Sequence, residues 1–326
     1  MANMKILVTG GSGFIGTNYV EFLLNKNIEF INLDRNPPRN NGHIKFWKEC
    51  DILDYPRLDK IIKEFQPTHV VHLAARTGLN EKHISEFAAN MEGVENLIRI
   101  LREVPSVKRV IFTSSLLVCK MGYIPKTDTE YMPTTLYGQS KVKGEKIVRL
   151  STDVPFAWTI IRPISVWGPW QEEPYINLFK SVAHNWYFHI GSGHYNRSMG
   201  YVENMAYQIH QLLLAADEKV DRKTFYLGDS QPVDLFAFAT EIQNTLGTRK
   251  IVPLPLWLVK LLAKTGDVLK TLGWKRFPLT SFRLNNIRTE YVFDLSPIMA
   301  ISGPTPYNLK SAINRTIKWM QKAGEI

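Results

Sequence analysis

The sequence predicts an α/β protein, a doubly wound parallel sheet joined to a smaller, mostly helical C-terminal lobe. Three observations carry this expectation. Short apolar runs alternate with segments of helical periodicity through the first half of the chain, the pattern of strands paired in parallel with helices on both faces. A glycine-rich turn separates the first apolar run from the first helical segment. After Pro163 strands become sparse, and aromatic-rich loops and helices take over.

Taken in order, Lys5–Gly10 reads as a strand, and the helix behind it has Phe14, Ile15, Tyr19, Phe22 and Leu23 at helical spacing. Glu29–Asp34 is a second strand, and the stretch ending at Phe65 carries a helix after Pro56. Thr68–Ala75 reads as a buried strand and Asn90–Val104 as an amphipathic helix. Val107–Ser115 is a strand, Tyr137–Leu150 a helix and Phe156–Pro163 a further strand. Phe225–Asp229 is expected to return a strand to this first region.

At 326 residues the chain is long enough for two domains. No apolar run reaches the ~20 residues of a membrane span, and the first residues hold too short an apolar stretch for a secretory signal. Two cysteines, Cys50 and Cys119, provide no disulfide framework, so a cytoplasmic location is expected. The formal charge of +10 suits an anionic partner. Basic residues are scattered, without zinc-finger spacing or a basic–aromatic stripe. An anionic small-molecule substrate is therefore expected, and nucleic acid is not. The histidines show no recurring spacing with Cys or Asp, so no metal is expected.

The turn Val8–Asn18 places Gly10, Gly13 and Gly16 between a strand and a helix. A helix N-terminus presents unpaired N–H groups and a partial positive charge, and glycine lets a pyrophosphate approach the backbone. Asp34 ends the next strand, 18 positions after Gly16, where a carboxylate can accept from ribose hydroxyls and would repel a 2′-phosphate. NAD is thus expected rather than NADP, although Arg35 next door offers a guanidinium to a phosphate. The sheet is accordingly a Rossmann-type one. Residues 1–163 form the expected NAD-binding domain, completed by about 196–229, and 164–195 with 230–326 the substrate-binding lobe.

Tyr137 and Lys141 lie four residues apart on a predicted helix, so they share a face. Such a pair is commonly a solvated helix face, but context points elsewhere. Thr113-Ser114-Ser115 ends the preceding strand, and ligands of doubly wound sheets lie at carboxyl ends of strands. Bringing a phenol from its usual ~10 to near 7 takes about 4 kcal/mol. A lysine ammonium nearby and a positive nicotinamide ring would supply it. Tyr137 would then exchange a proton with a substrate hydroxyl while hydride moves to or from the same carbon.

These pieces together resemble the extended short-chain dehydrogenase/reductases, the NAD-dependent epimerase/dehydratase family. The resemblance covers most of residues 1–205: Thr9–Gly16, Asp34, Asp51–Asp54, His72–Ala75, Asn90, Thr113–Ser115, Tyr137–Lys141 and Arg162–Pro169. It implies that Ser12, Phe14 and Ile15 line the pyrophosphate and that Asp51 and Ile52 contact the adenine. It implies that Leu73, Ala74 and Ala75 border the cofactor ribose, with Asn90 also at the cofactor, and that Pro163 and Val166 lie near the nicotinamide. Ser115, Tyr137 and Lys141 match the catalytic positions. The implied activity is epimerisation or oxidoreduction of a secondary alcohol or ketone, foremost on a nucleotide-activated sugar. A ketoreductase of a sterol-like or lipid-linked substrate is the alternative, and a non-catalytic NAD-binding regulator a more distant one. Related dehydratases carry Asp-Glu where this chain has Leu116 and Leu117, which argues against water elimination. Ser165 replaces a frequent substrate-binding Asn, and Arg197, without the Asp that usually follows it, is the residue expected to hold a substrate diphosphate.

In Leu254–Phe277 the residues Leu258, Leu261, Leu262, Val268, Leu269 and Leu272 share one helical face, and Lys260 and Lys264 lie outside it. A helix packed on its own lobe or on a second copy in a homodimer is the first reading. An amphipathic element on an anionic membrane is the second, suggested by Trp257, Trp274 and the lysines.

Overall fold

The structure, a computed structural model, describes residues 4–78, 81–191, 193–274 and 279–326. Seven strands form one parallel sheet: β1 (Lys5–Thr9), β2 (Glu29–Asp34), β3 (Trp47–Glu49), β4 (His69–His72), β5 (Arg109–Thr113), β6 (Ala157–Pro163) and β7 (Lys223–Leu227). Their spatial order is β7-β6-β5-β4-β1-β2-β3. The order reverses between β1 and β4, which pair with Leu7 opposite Val70. That reversal opens a crevice at the carboxyl ends of these two strands. Each expected strand is present; Glu29–Asp34 keeps its expected bounds, and the other strands of the first 163 residues are shortened at one or both ends. Thr68, Leu73–Ala75 and Ser114–Ser115 leave the ladder as loops, and the strand expected at 225–229 begins two residues earlier. The three-residue β3 lies below what periodicity can reveal.

Helices α1 (Phe14–Asn25), α2 (Tyr55–Phe65), α3 (Glu92–Leu101) and α4 (Leu136–Leu150) follow in the first half. α2 starts one residue before Pro56, capped by the Asp54 carboxylate, which accepts from the Arg57 N–H at 3.3 Å. Proline is harmless there because first-turn N–H groups have no helical partner. The second half adds α5 (Tyr175–Ala183), α6 (Val202–Leu214), α7 (Asp217–Val220), α8 (Leu235–Leu246), α9 (Leu256–Thr271), α10 (Ser281–Arg288), α11 (Ser296–Ser302) and α12 (Leu309–Lys322).

The sheet is buried on both faces. Tyr19, Val20 and Leu23 of α1, Met205, Ile209 and Leu212 of α6 and Ile298 of α11 pack on one side with Ile6 and Val8. Leu58 and Ile62 of α2, Leu97, Ile98 and Leu101 of α3 and Val148 of α4 cover the other with Leu7 and Val70. Such continuous burial explains why the strands read as unbroken apolar runs. A separate core of Trp167, Phe179, Phe238, Ile242, Ile313 and Ile317 joins α5, α8 and α12 into a helical lobe. A fourth cluster, with Ile190, Val259, Ala263 and Leu284, ties α9 to α10. Among the described residues no helix is long and apolar enough to cross a membrane.

Candidate active site

The glycine turn sits at the carboxyl end of β1. Gly10 has a φ of +76°, and a Cβ there would lie 2.4 Å from the Ala74 nitrogen. A Cβ on Gly16 would lie 2.2 Å from the Gly10 carbonyl oxygen. Only glycine lets the turn close this tightly against both the β4 loop and its own start. Gly10, Gly11, Ser12 and Gly16 are consequently buried, and Gly13, Phe14 and Ile15 form the reachable surface. Gly13 caps α1 without a side chain, and no acidic residue occupies the first turn. The first N–H groups of α1 are thus open to an anion. This cradle suits a dinucleotide pyrophosphate.

Asp34 stands beside the turn. Its carboxylate accepts from the N–H groups of Ser12 at 3.0 Å and Asn36 at 2.9 Å. Burial raises its pKa, opposed by those two hydrogen bonds and by Arg35 and Arg39. Arg35 points at Asp51, with 3.6 Å between their charged atoms. Arg39 donates to the carbonyls of Ser12 at 3.1 Å and Trp170 at 3.2 Å and pairs with Glu172, bridging the turn to the segment after β6. Ile52, by contrast, turns its side chain into the core against Gly93, so of Asp51 and Ile52 only Asp51 is reachable.

Leu73, Ala74 and Ala75 continue β4 over the crevice, with the Leu73 N–H bonded to the Thr9 carbonyl at 2.9 Å. Asn90 is buried and holds this loop. It accepts from the Arg76 N–H at 2.8 Å and donates to the Arg76 carbonyl at 2.9 Å and to Ser140 Oγ of α4 at 2.8 Å. These three hydrogen bonds make it a clamp between the β4 loop and α4. His72 is hydrogen-bonded to Thr9 Oγ1 at 2.7 Å. Burial, followed by the charge of Lys141, pushes its pKa down to about 3, so it is neutral.

Ser115, Tyr137 and Lys141 come together at the end of β5. Thr135 caps α4, accepting from the Gly138 N–H at 3.0 Å. A Cβ on Gly138 would meet the Leu117 carbonyl oxygen at 2.2 Å, so glycine beside Tyr137 lets α4 press onto the Leu116–Val118 turn. That approach brings the phenol beside Ser115. Ser115 Oγ also accepts from the Leu117 N–H at 3.1 Å. Lys141 donates to the Thr113 carbonyl at 2.9 Å, and its Nζ lies 6.0 Å from the Tyr137 ring centre. Burial raises the Tyr137 pKa, with the Ser115 hydrogen bond opposing it. Burial lowers Lys141 to about 8, with Glu145 opposing. The expected lowering of the phenol by Lys141 is therefore not found in the protein alone, where desolvation dominates.

Glu145, one turn beyond Lys141, is buried and takes the Arg162 guanidinium on both oxygens, at 2.8 and 2.7 Å. Tyr131 donates to it at 2.9 Å, and Arg162 also donates to Tyr226 of β7 at 3.0 Å. A cavity of about 20 Å³ lies between this pair and the site, lined by Thr113, Ser114, Lys141, Glu145 and Asn90 among others.

Across the crevice, Pro163 is buried at the end of β6, and Val166 is half-buried in a short pairing with Gly200. Ser165 has a φ of +37° and shares a 2.6 Å hydrogen bond with the Tyr291 hydroxyl. Arg197 is not placed as the sequence suggested. It is buried, stacked 5.0 Å from the Tyr291 ring centre, and donates to the backbone carbonyls of Thr289 at 3.2 Å and of Asn286. Two of its donors go to the end of α10, so the backbone there fixes its orientation. Arg288 lies between those two carbonyls in sequence, and its buried Nε has no partner among the described residues. Tyr291, Arg39, Glu145 and Gly11 are all missed by sequence reasoning. Only Gly11 carried a local signal, standing in the turn itself, where a Cβ would meet Asn32 Oδ1 at 2.3 Å. Among the described residues, no group of three or more His, Cys, Asp or Glu is placed to hold a metal ion.

Comparison with known proteins places this geometry. The chain is 25% identical to the N-acetyl-α-D-glucosaminyl-diphospho-ditrans,octacis-undecaprenol 4-epimerase of Escherichia coli O157:H7, over 97% of this chain and 95% of that one. It is 28% identical to a 3β-hydroxysteroid dehydrogenase/Δ5→4-isomerase of Mycobacterium tuberculosis, over 75% of this chain and 70% of the other. The crystal structure of the Thermus thermophilus UDP-glucose 4-epimerase in complex with NAD superposes with a TM-score of 0.74 at 20% identity, over 98% of this chain and 100% of that one. That match establishes the extended Rossmann-type fold. The profile of the NAD-dependent epimerase/dehydratase family matches residues 6–228, more than half of the sequence. The chain belongs to the NAD-dependent epimerase/dehydratase family.

Proposed function

We propose that the protein is an NAD-dependent epimerase acting on a secondary hydroxyl of a diphosphate-linked sugar. The observation that carries the reading is the meeting of Ser115 and Tyr137 at the end of β5, on the same sheet edge as the open N-terminus of α1. Gly13, Phe14 and Ile15 would hold the pyrophosphate through backbone N–H groups, and Asp34 the adenosine ribose. Asp34 favours NAD over NADP, and the turning of Arg35 toward Asp51 supports this. NAD, when bound, supplies the hydride acceptor and a positive ring that opposes the burial of the Tyr137 phenol.

Tyr137 takes the hydroxyl proton as hydride leaves the same carbon, giving a ketone, and returns that proton when hydride comes back to the opposite face. Ser115 orients the reacting oxygen, and Lys141 keeps positive charge beneath the phenol. Arg288, whose Nε has no partner among the described residues, is the group we assign beside Arg197 to the anionic part of the substrate. Leu116 packs toward the core beside Ser115 and offers no proton carrier, which supports epimerisation over dehydration.

Tyr137→Phe tests the mechanism: turnover falls by at least about a hundredfold, while NAD binding by calorimetry stays within error. Turnover near the wild-type rate in that variant removes Tyr137 from the chemistry. A second reading, a dehydrogenase of a steroid-like alcohol, draws on the similarity to the mycobacterial steroid dehydrogenase. Native mass spectrometry separates the two. NAD carried through purification supports an epimerase that regenerates its cofactor within each turnover, and an empty protein that exchanges NADH supports the dehydrogenase.

A further inference from the structure

The amphipathic segment singled out in the sequence forms α9, but its apolar residues are not all covered. Small and β-branched residues, Val259, Ala263 and Gly266, make the buried side, against Ile190 and Leu284. Leu258, Leu262 and Leu269 are half-buried. Trp257, Leu261, Val268 and Leu272 are each more than half exposed. Their spacing of four, seven and four residues stacks them along one side of the helix. Trp274 is exposed just beyond the helix end, and Val252 just before its start. A helix of 16 residues is about 24 Å long, so this is an extended apolar stripe of the kind that marks an interaction surface.

We propose that this face of α9 docks on an anionic phospholipid bilayer. Charge selects that occupant. Lys260 and Lys264 border the exposed stripe on one side, and Arg249 and Lys250 are exposed on the approach to the helix. The acidic residue of α9, Asp267, is tied inward, accepting from the Ser281 N–H at 3.1 Å. A second copy docked about a two-fold axis would bring the same lysines face to face, because such an interface uses one patch on both partners. An anionic surface instead attracts them, as it does the chain as a whole with its formal charge of +10. Tryptophan at the start of the stripe and again past its end is the side chain that favours the headgroup level.

The docking helix is also coupled to the crevice. α9 packs on α10, and the last carbonyls of α10 hold Arg197, which in turn stacks on Tyr291 beside Ser165. The proposal concerns surface binding and stands whether or not the epimerase reading does.

Sedimentation of the full chain with vesicles tests it. With phosphatidylcholine–phosphatidylglycerol vesicles at low salt the protein pellets, and with pure phosphatidylcholine vesicles binding is about tenfold weaker or more. Trp257→Ser combined with Leu261→Ser, and separately Lys260→Glu combined with Lys264→Glu, each abolish pelleting. Both variants leave turnover of a soluble nucleotide sugar unchanged, since all four side chains are exposed and none is among the residues assigned to the cofactor, the substrate or the chemistry. Failure of the wild type to pellet overturns the proposal, as does pelleting untouched by either double variant. A concentration-dependent dimer that the Trp257→Ser, Leu261→Ser variant dissolves, seen by analytical ultracentrifugation in a protein that ignores vesicles, overturns it in favour of a second copy. Loss of turnover in Tyr137→Phe is read independently of pelleting, so the two proposals fail separately.

Discussion

Glu145 touches no reacting atom, yet it sits one turn from Lys141 and holds the fully buried Arg162 on both of its oxygens. Its charge works against the burial that brings Lys141 down to about 8. A group whose pKa is depressed this way loses its proton as pH rises, so turnover is expected to decline above about pH 8. Glu145→Gln removes the opposing charge, lets Lys141 titrate still lower, and moves that alkaline limb down by about one pH unit or more. Because a broken buried ion pair costs about 3–5 kcal/mol, the profile is taken well below the variant's melting temperature. A merely structural role for Glu145 would lower stability and leave the limb where it was. Tyr137 and Lys141 were legible in sequence because four-residue spacing on a helix fixes a shared face. Glu145 was not, because its meaning comes from Arg162 on β6 and Tyr226 on β7, strands that sequence periodicity locates but does not align. The same holds for Tyr291, which meets Ser165 across 126 positions, and for Arg197, whose partners are carbonyls that no side-chain pattern announces.

For the elements, the start of α4 is the most sensitive point. The helix reaches Ser115 only because Gly138 permits contact with the Leu117 carbonyl. Gly138→Ala is expected to destabilise the fold by about 1–3 kcal/mol, the usual cost of overpacking, and to lower kcat more than it weakens NAD binding. Gln139→Ala, on the exposed side of the same turn, serves as the control and leaves both unchanged. Thermal melts and steady-state kinetics on the pair decide the matter. Equal losses in both variants would detach the effect from the contact at Leu117. Helices were readable where one narrow apolar stripe met one obvious core, as in α3. In α9 the apolar arc is broader than any single neighbour covers. Periodicity named the residues that share the arc but not the part of it that meets α10, and the half left exposed is a tertiary fact.

For the whole molecule, the sheet is not finished by the residues that begin it. β7 pairs with β6 only after the chain has built α5 and α6, and Arg109 of β5 donates to the carbonyls of Leu212 at 2.6 Å and Leu213 at 3.0 Å, at the end of α6. Five of the first six strands were visible from their spacing in sequence, all but the three-residue β3, and the return of the seventh from an isolated apolar run. The cross-links between them depend on a topology that parallel pairing permits but sequence separation hides. A fragment of residues 1–163 is therefore expected to lack a cooperative melting transition, whereas the full chain melts in a single one. Calorimetry of both checks this, and a sharp transition in the fragment would make the first region self-sufficient.

The shared anchoring of Arg162 by α4 and β7 has a consequence during synthesis. When β6 leaves the ribosome, this guanidinium has Glu145 but not yet Tyr226, and the outer edge of β6 has no strand beside it. Some sixty residues must still be translated before β7 arrives, about 3 to 13 seconds at ordinary elongation rates. Through that interval the nascent chain presents an open apolar edge, the feature by which growing chains adhere to one another, and a chaperone that shields β6 until α6 has folded would raise the yield of native protein.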